Sequence, residues 1–306
     1  MKPPAAFSLL AYLIWLPLVT SAQEDWRILP PAKVSPEAIA ATEEIPNLVY
    51  AKYGDCEMEL TLFRPKNATR KLPAVVCIHG GAWWKGERKN FAHVARELAG
   101  RGFVTVTISY RLSDEAPFPA QIHDCKAAVR WLRANADKYG IRKEFIGATG
   151  SSAGGHLAAL LATSGGVDAL EGDGGNTEFS STIQAAVPMG AQSDLMSERI
   201  KLRSKDPSAA FYPQFLGGTQ EEVPDTYRLA SPLHHLDSMD PPLLFICGEL
   251  DDPSTRAETI RTRMQEMKRP NSVVILQGAP HPFPSRQVYF DQAIDKMAEY
   301  FAAFLK

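Results

Sequence analysis

The feature that most restricts the fold of this chain is an alternation between two kinds of segment, which runs from about Leu48 to the C-terminus. Short runs rich in β-branched and other apolar residues predict buried strands, and longer stretches with apolar residues three and four apart predict amphipathic helices. Strands that alternate with helices pack as a mostly parallel sheet with helices on its faces. The alternation therefore predicts an α/β fold built on one sheet.

Eight strands and five main helices are predicted. The predicted strands are 48–53, 56–63, 74–78, 103–109, 145–149, 184–189, 243–247 and 272–277, and the predicted helices lie near 90–100, 119–138, 153–163, 254–268 and 287–304. Helix 119–138 is well marked, because Ile122, Cys125, Val129 and Leu132 form one apolar stripe. The alternation continues to the last residue, so 47–306 is predicted to be one domain.

Two segments interrupt this alternation. Residues 164–182 are polar and rich in glycine, which predicts a surface loop. Residues 191–236 are longer than an ordinary connection and contain Phe211, Tyr212 and Phe215. A long connection with aromatic residues is typical of a lid or a substrate wall. A surface helix that covers the core is an equally good interpretation.

The N-terminus has the composition of a secretion signal. Lys2 precedes an apolar run from Ala5 to Val19, and the small residues Thr20, Ser21 and Ala22 follow. This run is shorter than the ~20 residues that a membrane-spanning helix needs. We therefore predict a signal peptide at 1–22, a secreted or periplasmic protein, and no stable membrane insertion after cleavage. The proline-containing stretch 23–46 is predicted to be an extended leader.

Charge and cysteine content exclude other classes of function. The chain has 33 basic and 35 acidic side chains and no Lys/Arg-rich run, so nucleic-acid binding is not expected. Cys77 and Cys247 lie in apolar runs, where a free cysteine acts as a small hydrophobic residue, although the even number of four cysteines leaves disulfide pairing open. No CxxC motif or Cys/His cluster is present, and no metal is expected.

A candidate nucleophile follows the predicted strand 145–149. Gly150-Ser151-Ser152-Ala153-Gly154 is a G-x-S-x-G pattern, and helix-forming residues come directly after it. In such an elbow the serine lies on a strained strand-to-helix turn, and the small residues around it let neighbouring backbone pass. The N–H of Ala153 opens the helix, where an oxyanion is favoured. Ser152 is therefore predicted to be a nucleophile.

A glycine-rich loop follows the predicted strand 74–78 and begins with His79-Gly80-Gly81. With this loop the chain resembles the α/β-hydrolase superfamily, specifically the HGG-type esterase/lipase group and its acetyl xylan and feruloyl esterase relatives. The resemblance extends from about Leu48 to Lys306 and rests on four motifs, which are His79-Gly80-Gly81-Ala82-Trp83-Trp84, Tyr110-Arg111-Leu112, Phe118-Pro119-Ala120-Gln121-Ile122-His123-Asp124 and Gly150-Ser151-Ser152-Ala153-Gly154-Gly155-His156.

The resemblance implies an α/β-hydrolase fold with a mostly parallel, eight-stranded sheet, and makes 47–306 the catalytic domain. It also implies that the N–H groups of Gly81 and Ala82, with that of Ala153, form the oxyanion hole. Many relatives have a third glycine at the position of Ala82. An alanine keeps the N–H, so the hole is expected to survive unless the loop needs a positive φ there. His79 would hold the turn of the loop and would not be the base.

The base and the acid are expected in the order Ser, acid, His along the chain. His281 is the only one of seven histidines that follows the last predicted strand. The spacing usual in the family selects Asp251, the third residue after Gly248, as the acid. Asp252 is a rival whose alternative role is a turn or helix cap, and some relatives carry the acid near the position of Asp194.

The expected function is that of a secreted serine carboxylesterase with no cofactor. It would cleave acetyl or feruloyl-type esters, on a small molecule or on acylated plant polysaccharide, through a Ser152, His281 and Asp251 mechanism. Trp83 and Trp84 either bind substrate or pack in the core. Two alternatives stay open: an arylformamidase-like esterase or amidase with the same residues, and a non-catalytic binding protein on a hydrolase scaffold.

Overall fold

The computed structural model describes residues 25–306, so the predicted signal peptide lies outside the described residues. Its sheet contains eight strands, close to the predicted positions. They are β1 Thr42–Tyr53, β2 Cys56–Pro65, β3 Leu72–Ile78, β4 Val104–Ile108, β5 Ile141–Ser151, β6 Ala185–Met189, β7 Leu243–Gly248 and β8 Asn271–Leu276. Their order in the sheet is β1-β2-β4-β3-β5-β6-β7-β8. β2 is antiparallel to both of its neighbours, and all other pairs are parallel. The predicted fold class is confirmed.

Helices cover both faces of this sheet. They are α1 Pro36–Ala41, α2 Ala92–Gly100, α3 Ala120–Ala134, α4 Ala136–Tyr139, α5 Ala153–Thr163, α6 Glu198–Arg203, α7 Phe211–Leu216, α8 Pro224–Leu229, α9 Thr259–Glu266 and α10 Gln287–Phe304. α9 continues a π-helical turn at Ser254–Glu258. No helix in residues 25–306 is long and apolar enough to cross a bilayer.

Two apolar cores result, one on each face of the sheet. Alternate residues of β3 enter opposite cores, since successive side chains of a strand point to opposite faces. Val76 belongs to the core that also contains residues of α3, α5 and α9, and Val75 belongs to the core that contains residues of α2 and α10. Cys77 and Cys247 are buried in β3 and β7, as predicted, and all four cysteines are free.

The segment 23–46, expected to be an extended leader, differs from that expectation over its second half. Ser35 caps α1, with its hydroxyl accepting from the Ala38 N–H at 3.2 Å, and β1 starts at Thr42 rather than at residue 48. The early part of β1 was missed because its register shifts between Ile45 and Leu48, which breaks the alternation of apolar residues. Proline at 46 fits this position, since β1 is an edge strand.

The long connection 191–236 forms α6, α7 and α8. Phe215 of α7 is buried and stacks on the ring of Trp83, with 4.4 Å between ring centroids. Phe211 and Tyr212 line a cavity at the carboxyl edge of the parallel strands. This connection therefore covers the core and also forms a wall beside the candidate site, so both interpretations hold for different residues.

Candidate active site

Ser152 lies in a sharp turn between β5 and α5. Its φ is 57° and its ψ is −117°, a conformation that costs free energy for a residue with a side chain. The turn is held by a hydrogen bond of 2.8 Å from the Ser152 N–H to the Met189 carbonyl. A Cβ on Gly154 would come within 2.1 Å of the Ile78 carbonyl oxygen, and one on Gly150 within 2.3 Å of the Gly154 oxygen. The small residues of the motif are thus required by close backbone packing.

His281 lies in the loop between β8 and α10. Its Nε2 is 2.8 Å from Ser152 Oγ and its Nδ1 is 2.6 Å from Asp251 Oδ2. With the ring proton on Nδ1 donated to the carboxylate, Nε2 is free to accept the hydroxyl proton of the serine. The imidazole is 38% exposed, whereas the Asp251 side chain is only 5% exposed. The structure therefore brings together the three side chains named from the sequence.

Asp251 is held by a partner that the sequence analysis did not name. Arg256 Nη2 donates to Asp251 Oδ1 at 2.7 Å, and Arg256 Nε donates to the Asp251 carbonyl at 3.3 Å. Each carboxylate oxygen thus has a charged or polar donor, which offsets the cost of burying a charge. Arg256 follows Asp251 by five residues in the π-helical turn, a spacing that α-helical periodicity does not indicate.

Neither rival acid contacts His281. Asp252 is exposed with a φ of 50°, and its Oδ1 accepts a hydrogen bond of 2.6 Å from Ser254, so it acts as a turn residue. Asp194 accepts from the Met196 N–H at 2.8 Å and lies 3.8 Å from His234.

The loop after β3 exposes backbone donors next to Ser152. Gly81 has a φ of 125°, and a Cβ there would lie 1.9 Å from the Lys85 carbonyl oxygen, so glycine is required. Ala82 has a φ of 51°, which an alanine adopts at a cost of about 1–2 kcal/mol. Within the described residues, the N–H groups of Gly81, Ala82 and Ala153 donate no hydrogen bond to another backbone group. All three residues border the same cavity as Ser152. The loop does use a positive φ at Ala82, and the N–H groups are free in spite of it.

Two other histidines near the site are buried. His79 stacks on Tyr110 and donates from Nδ1 to the Gly80 carbonyl at 2.7 Å. His156 donates from Nε2 to the Ala230 carbonyl at 2.7 Å and accepts from Trp83 Nε1 at 3.2 Å. Burial lowers the pKa of each to about 4, so both rings are neutral near pH 7. Their contacts are those of structural groups.

The cavity beside Ser152 has a volume of about 350 Å³. Trp83, Phe211 and Tyr212 supply its aromatic wall. Trp84 does not belong to this wall: it is 43% exposed, and its ring lies 5.3 Å from Lys85 Nζ. The two tryptophans diverge because the chain turns sharply at Trp83, whose φ is 62°.

Further polar residues of the cavity were missed in the sequence, namely Gln192, Arg199, Arg203 and Arg256. The spacing of Arg199 and Arg203 places them on one face of α6, but nothing local shows that this face borders the cavity. Within residues 25–306, no group of three or more His, Cys, Asp or Glu side chains could hold a metal ion.

Comparison with known proteins gives the family. The sequence model of the BD-FAE family matches residues 60–262. The chain belongs to the BD-FAE family. This assignment confirms the resemblance to α/β-hydrolase esterases that was drawn from the HGG and G-x-S-x-G motifs.

Relatives of this BD-FAE member are esterases. It is 31% identical over 76% of its length to esterase LipC of Mycobacterium tuberculosis, of which it covers 58%. It is similar to the structure of a truncated carbohydrate esterase from gut microbiota, with a TM-score of 0.77, 26% identity, and coverage of 88% of this chain and 98% of that chain. It is also similar to a thermophilic esterase of Thermogutta terrifontis with propionate bound, with a TM-score of 0.69, 26% identity, and coverage of 86% and 94%. The chain spans between about half and three fifths of the length of the first curated relatives that it matches.

Proposed function

We propose that this protein is a serine carboxylesterase. The observation that carries the proposal is the pair of contacts from His281, at 2.8 Å to Ser152 Oγ and 2.6 Å to Asp251 Oδ2, beside three free backbone N–H groups. A serine needs both a base and stabilisation of the developing oxyanion, and this arrangement supplies the two together.

The proposed reaction has two halves. Ser152 Oγ attacks the ester carbonyl carbon while its proton passes to His281 Nε2, and the oxyanion accepts hydrogen bonds from Gly81, Ala82 and Ala153. The C–O bond to the alcohol breaks as His281 returns the proton to the leaving oxygen. Water then attacks the acyl-enzyme with His281 again as base, which releases the acid and restores the serine. Asp251 orients the imidazole and stabilises its charged form.

The proposed substrates carry short acyl groups, acetyl or feruloyl, on a carbohydrate. Three findings support this: the fold of the structural neighbour described as a carbohydrate esterase, the propionate bound to the Thermogutta esterase, and a cavity of about 350 Å³, which suits a small acyl group. A panel of 4-nitrophenyl acetate, butyrate and octanoate, followed by acetylated xylan and methyl ferulate, tests the substrate class. Best turnover of an aryl formamide would favour the amidase alternative instead.

The test of the catalytic serine is Ser152→Ala. We expect a folded protein whose kcat falls by a factor on the order of 10⁴ or more, because the nucleophile is lost and only the oxyanion hole and binding remain. Hydrolysis of 4-nitrophenyl acetate and circular dichroism measure activity and folding. Ser151→Ala is the matched control, since Ser151 precedes the turn and its hydroxyl makes no hydrogen bond with His281 or Asp251. Retained turnover in pure Ser152→Ala protein would contradict the proposal.

We also propose export of the chain and removal of residues 1–22. The composition of the N-terminus supports this proposal. Expression of the full chain, followed by mass spectrometry of the exported protein, should give an N-terminus near Gln23. An intact N-terminus in the cell fraction would contradict it.

A further inference from the structure

The cavity beside Ser152 is strongly cationic. Four of the residues that line it are basic, and within the described part of the chain none of its lining residues is an aspartate or a glutamate. The basic residues are Lys85, Arg199, Arg203 and Arg256. A pocket for a neutral acetyl or aromatic acyl group needs no such charge, since such pockets are mostly apolar with a few placed polar groups. The charge therefore needs a separate explanation.

Of these four cations, only Arg256 has a carboxylate within 4.0 Å in residues 25–306. Arg199 and Arg203, two of the three without such a partner, lie four residues apart on α6. Other cations of the same segment are paired: Lys201 Nζ is 3.7 Å and Lys205 Nζ is 2.7 Å from Glu221. Lys201 and Lys205 thus each have a carboxylate within 4.0 Å, whereas Arg199 and Arg203 have only longer-range attraction to Asp252 and Asp206, whose pKa values they help to lower.

Neutral groups hold these arginines in place. In the amide orientation that satisfies its partners, Gln192 accepts from Arg256 Nη1 at 2.5 Å and from Arg199 Nη1 at 3.3 Å. Tyr212 is buried, and burial raises the pKa of its phenol. The guanidiniums of Arg256, Arg203 and Arg199 lie close enough to offset part of this rise in the pKa. The phenol is therefore neutral at pH 7 and supplies no charge to balance the arginines.

Arg256 differs from Arg199 and Arg203 because its guanidinium already donates a hydrogen bond to Asp251. Arg199 and Arg203 each retain several unused N–H donors, of the five that a guanidinium carries. A guanidinium matches a carboxylate in geometry and binds it with two parallel hydrogen bonds. A carboxylate therefore fits this part of the cavity.

On the basis of the esterase function proposed above, we propose that Arg199 and Arg203 form a subsite for a carboxylate carried by the ester substrate. The carboxylate belongs either to the alcohol half, as in an acylated uronic acid, or to the acyl half, as in a half-ester of a dicarboxylic acid. Both halves of an ester pass through the cavity beside Ser152, and the same pair of arginines serves either one.

Matched substrate pairs test the subsite and show which half of the ester carries the carboxylate. The acyl arm compares 4-nitrophenyl hydrogen adipate with 4-nitrophenyl hexanoate, and the alcohol arm compares an O-acetylated methyl glucuronide with the corresponding acetylated methyl glucoside. Ser152→Ala protein measures the background in each case. We expect kcat/KM to be at least about tenfold higher for the anion in one arm, and this preference to shrink as salt screens the charges.

The variant Arg199→Gln/Arg203→Gln should lower the anion-to-neutral ratio of kcat/KM by roughly tenfold or more, since charged hydrogen bonds to the substrate are lost. Lys201→Gln, on the same helix but paired with glutamates, is the matched control and should keep the wild-type ratio. The two single variants and the salt dependence of the wild-type ratio test the subsite even if the double variant does not fold.

The outcomes separate this proposal from the esterase proposal. Hydrolysis of the neutral esters with equal rates for the anions in both arms overturns the subsite and leaves the esterase function standing. An equal fall of the ratio in Lys201→Gln also overturns the subsite. Absence of hydrolysis with every ester overturns the proposed function itself.

Discussion

At the scale of single residues, the acid of the site depends on one arginine. The Arg256 guanidinium donates to the carboxylate and to the backbone carbonyl of Asp251, and also to Gln192. The guanidinium holds the buried carboxylate in position beside the imidazole. Arg256 is thus a positioning residue that acts through Asp251.

Arg256→Gln should lower kcat by roughly tenfold, because Asp251 loses a charged hydrogen bond. The rate is measured with 4-nitrophenyl acetate. Arg263→Gln is the control, because Arg263 pairs with Glu266 at the surface. An unchanged kcat in Arg256→Gln would show that Arg256 does not position the acid.

At the scale of elements, β3, β5 and α5 meet where the nucleophile turn forms. Gly150 and Gly154 let the start of α5 pack closely against the end of β3. Gly155 lets α5 pack closely against β6, since a Cβ on Gly155 would be 2.5 Å from the Met189 carbonyl oxygen. The position of Ser152 is therefore determined by backbone contacts between three elements, and a side chain at these glycines would force them apart.

Gly154→Ala should destabilise the protein by about 3 kcal/mol or more, because the new Cβ would lie 2.1 Å from a backbone oxygen that cannot move alone. Thermal unfolding followed by circular dichroism measures this. Gly165→Ala is the matched control, since its Cβ would meet only a side-chain carbon at 3.5 Å. Similar unfolding temperatures for the two variants would contradict the packing described here.

The turn that leads into β7 contains a titratable group. Burial raises the pKa of the Asp240 carboxyl from its ordinary range to about 7, although its Oδ2 accepts from the Asp237 N–H at 2.8 Å. The folded state therefore holds a proton that the unfolded state releases. The stability that comes from this group is fully present below about pH 4 and is lost as the pH rises through 7.

Asp240→Asn should remove this pH dependence, since an amide keeps the acceptor without the charge. Between about pH 5 and pH 8 the variant should gain stability relative to the wild type, on the order of 2 kcal/mol. Urea unfolding at several pH values measures it, and the exposed Asp55→Asn is the control. A constant difference across this range would contradict the assignment.

At the scale of the whole molecule, the site depends on both layers of helices. Ser152 opens α5 on one face of the sheet, and His281 precedes α10 on the other. The contact between the two therefore requires both cores to be formed. This supports the prediction that 47–306 is one domain.

Phe301→Ala in α10 tests that prediction. Phe301 is fully buried in the core opposite α5, so the variant should lose about 3–5 kcal/mol of stability. If the domain is one cooperative unit, activity and circular dichroism should be lost at the same lowered temperature. The exposed Phe304→Ala, on the same helix, should have little effect. Separate transitions for activity and secondary structure would contradict a single domain.

The sequence by itself determined the features that depend on neighbouring residues. Strand and helix positions follow from apolar periodicity, which is a local property, and the small residues around Ser152 and the glycines after β3 are contiguous motifs. The order along the chain selected His281. These patterns are readable because the physical demand, burial on one face or a close backbone approach, acts on residues that are adjacent in the chain.

Only the tertiary structure decided the features that depend on which distant segments meet. It placed Asp251 rather than Asp252 or Asp194 beside His281, and it directed Arg199 and Arg203 to the cavity. The contact of Asp251 with His281 joins residues 30 apart in the chain, and the cavity is bordered by residues from Gly81 to His281. A short segment has the same local propensity whichever partner it meets, so its sequence does not contain that information.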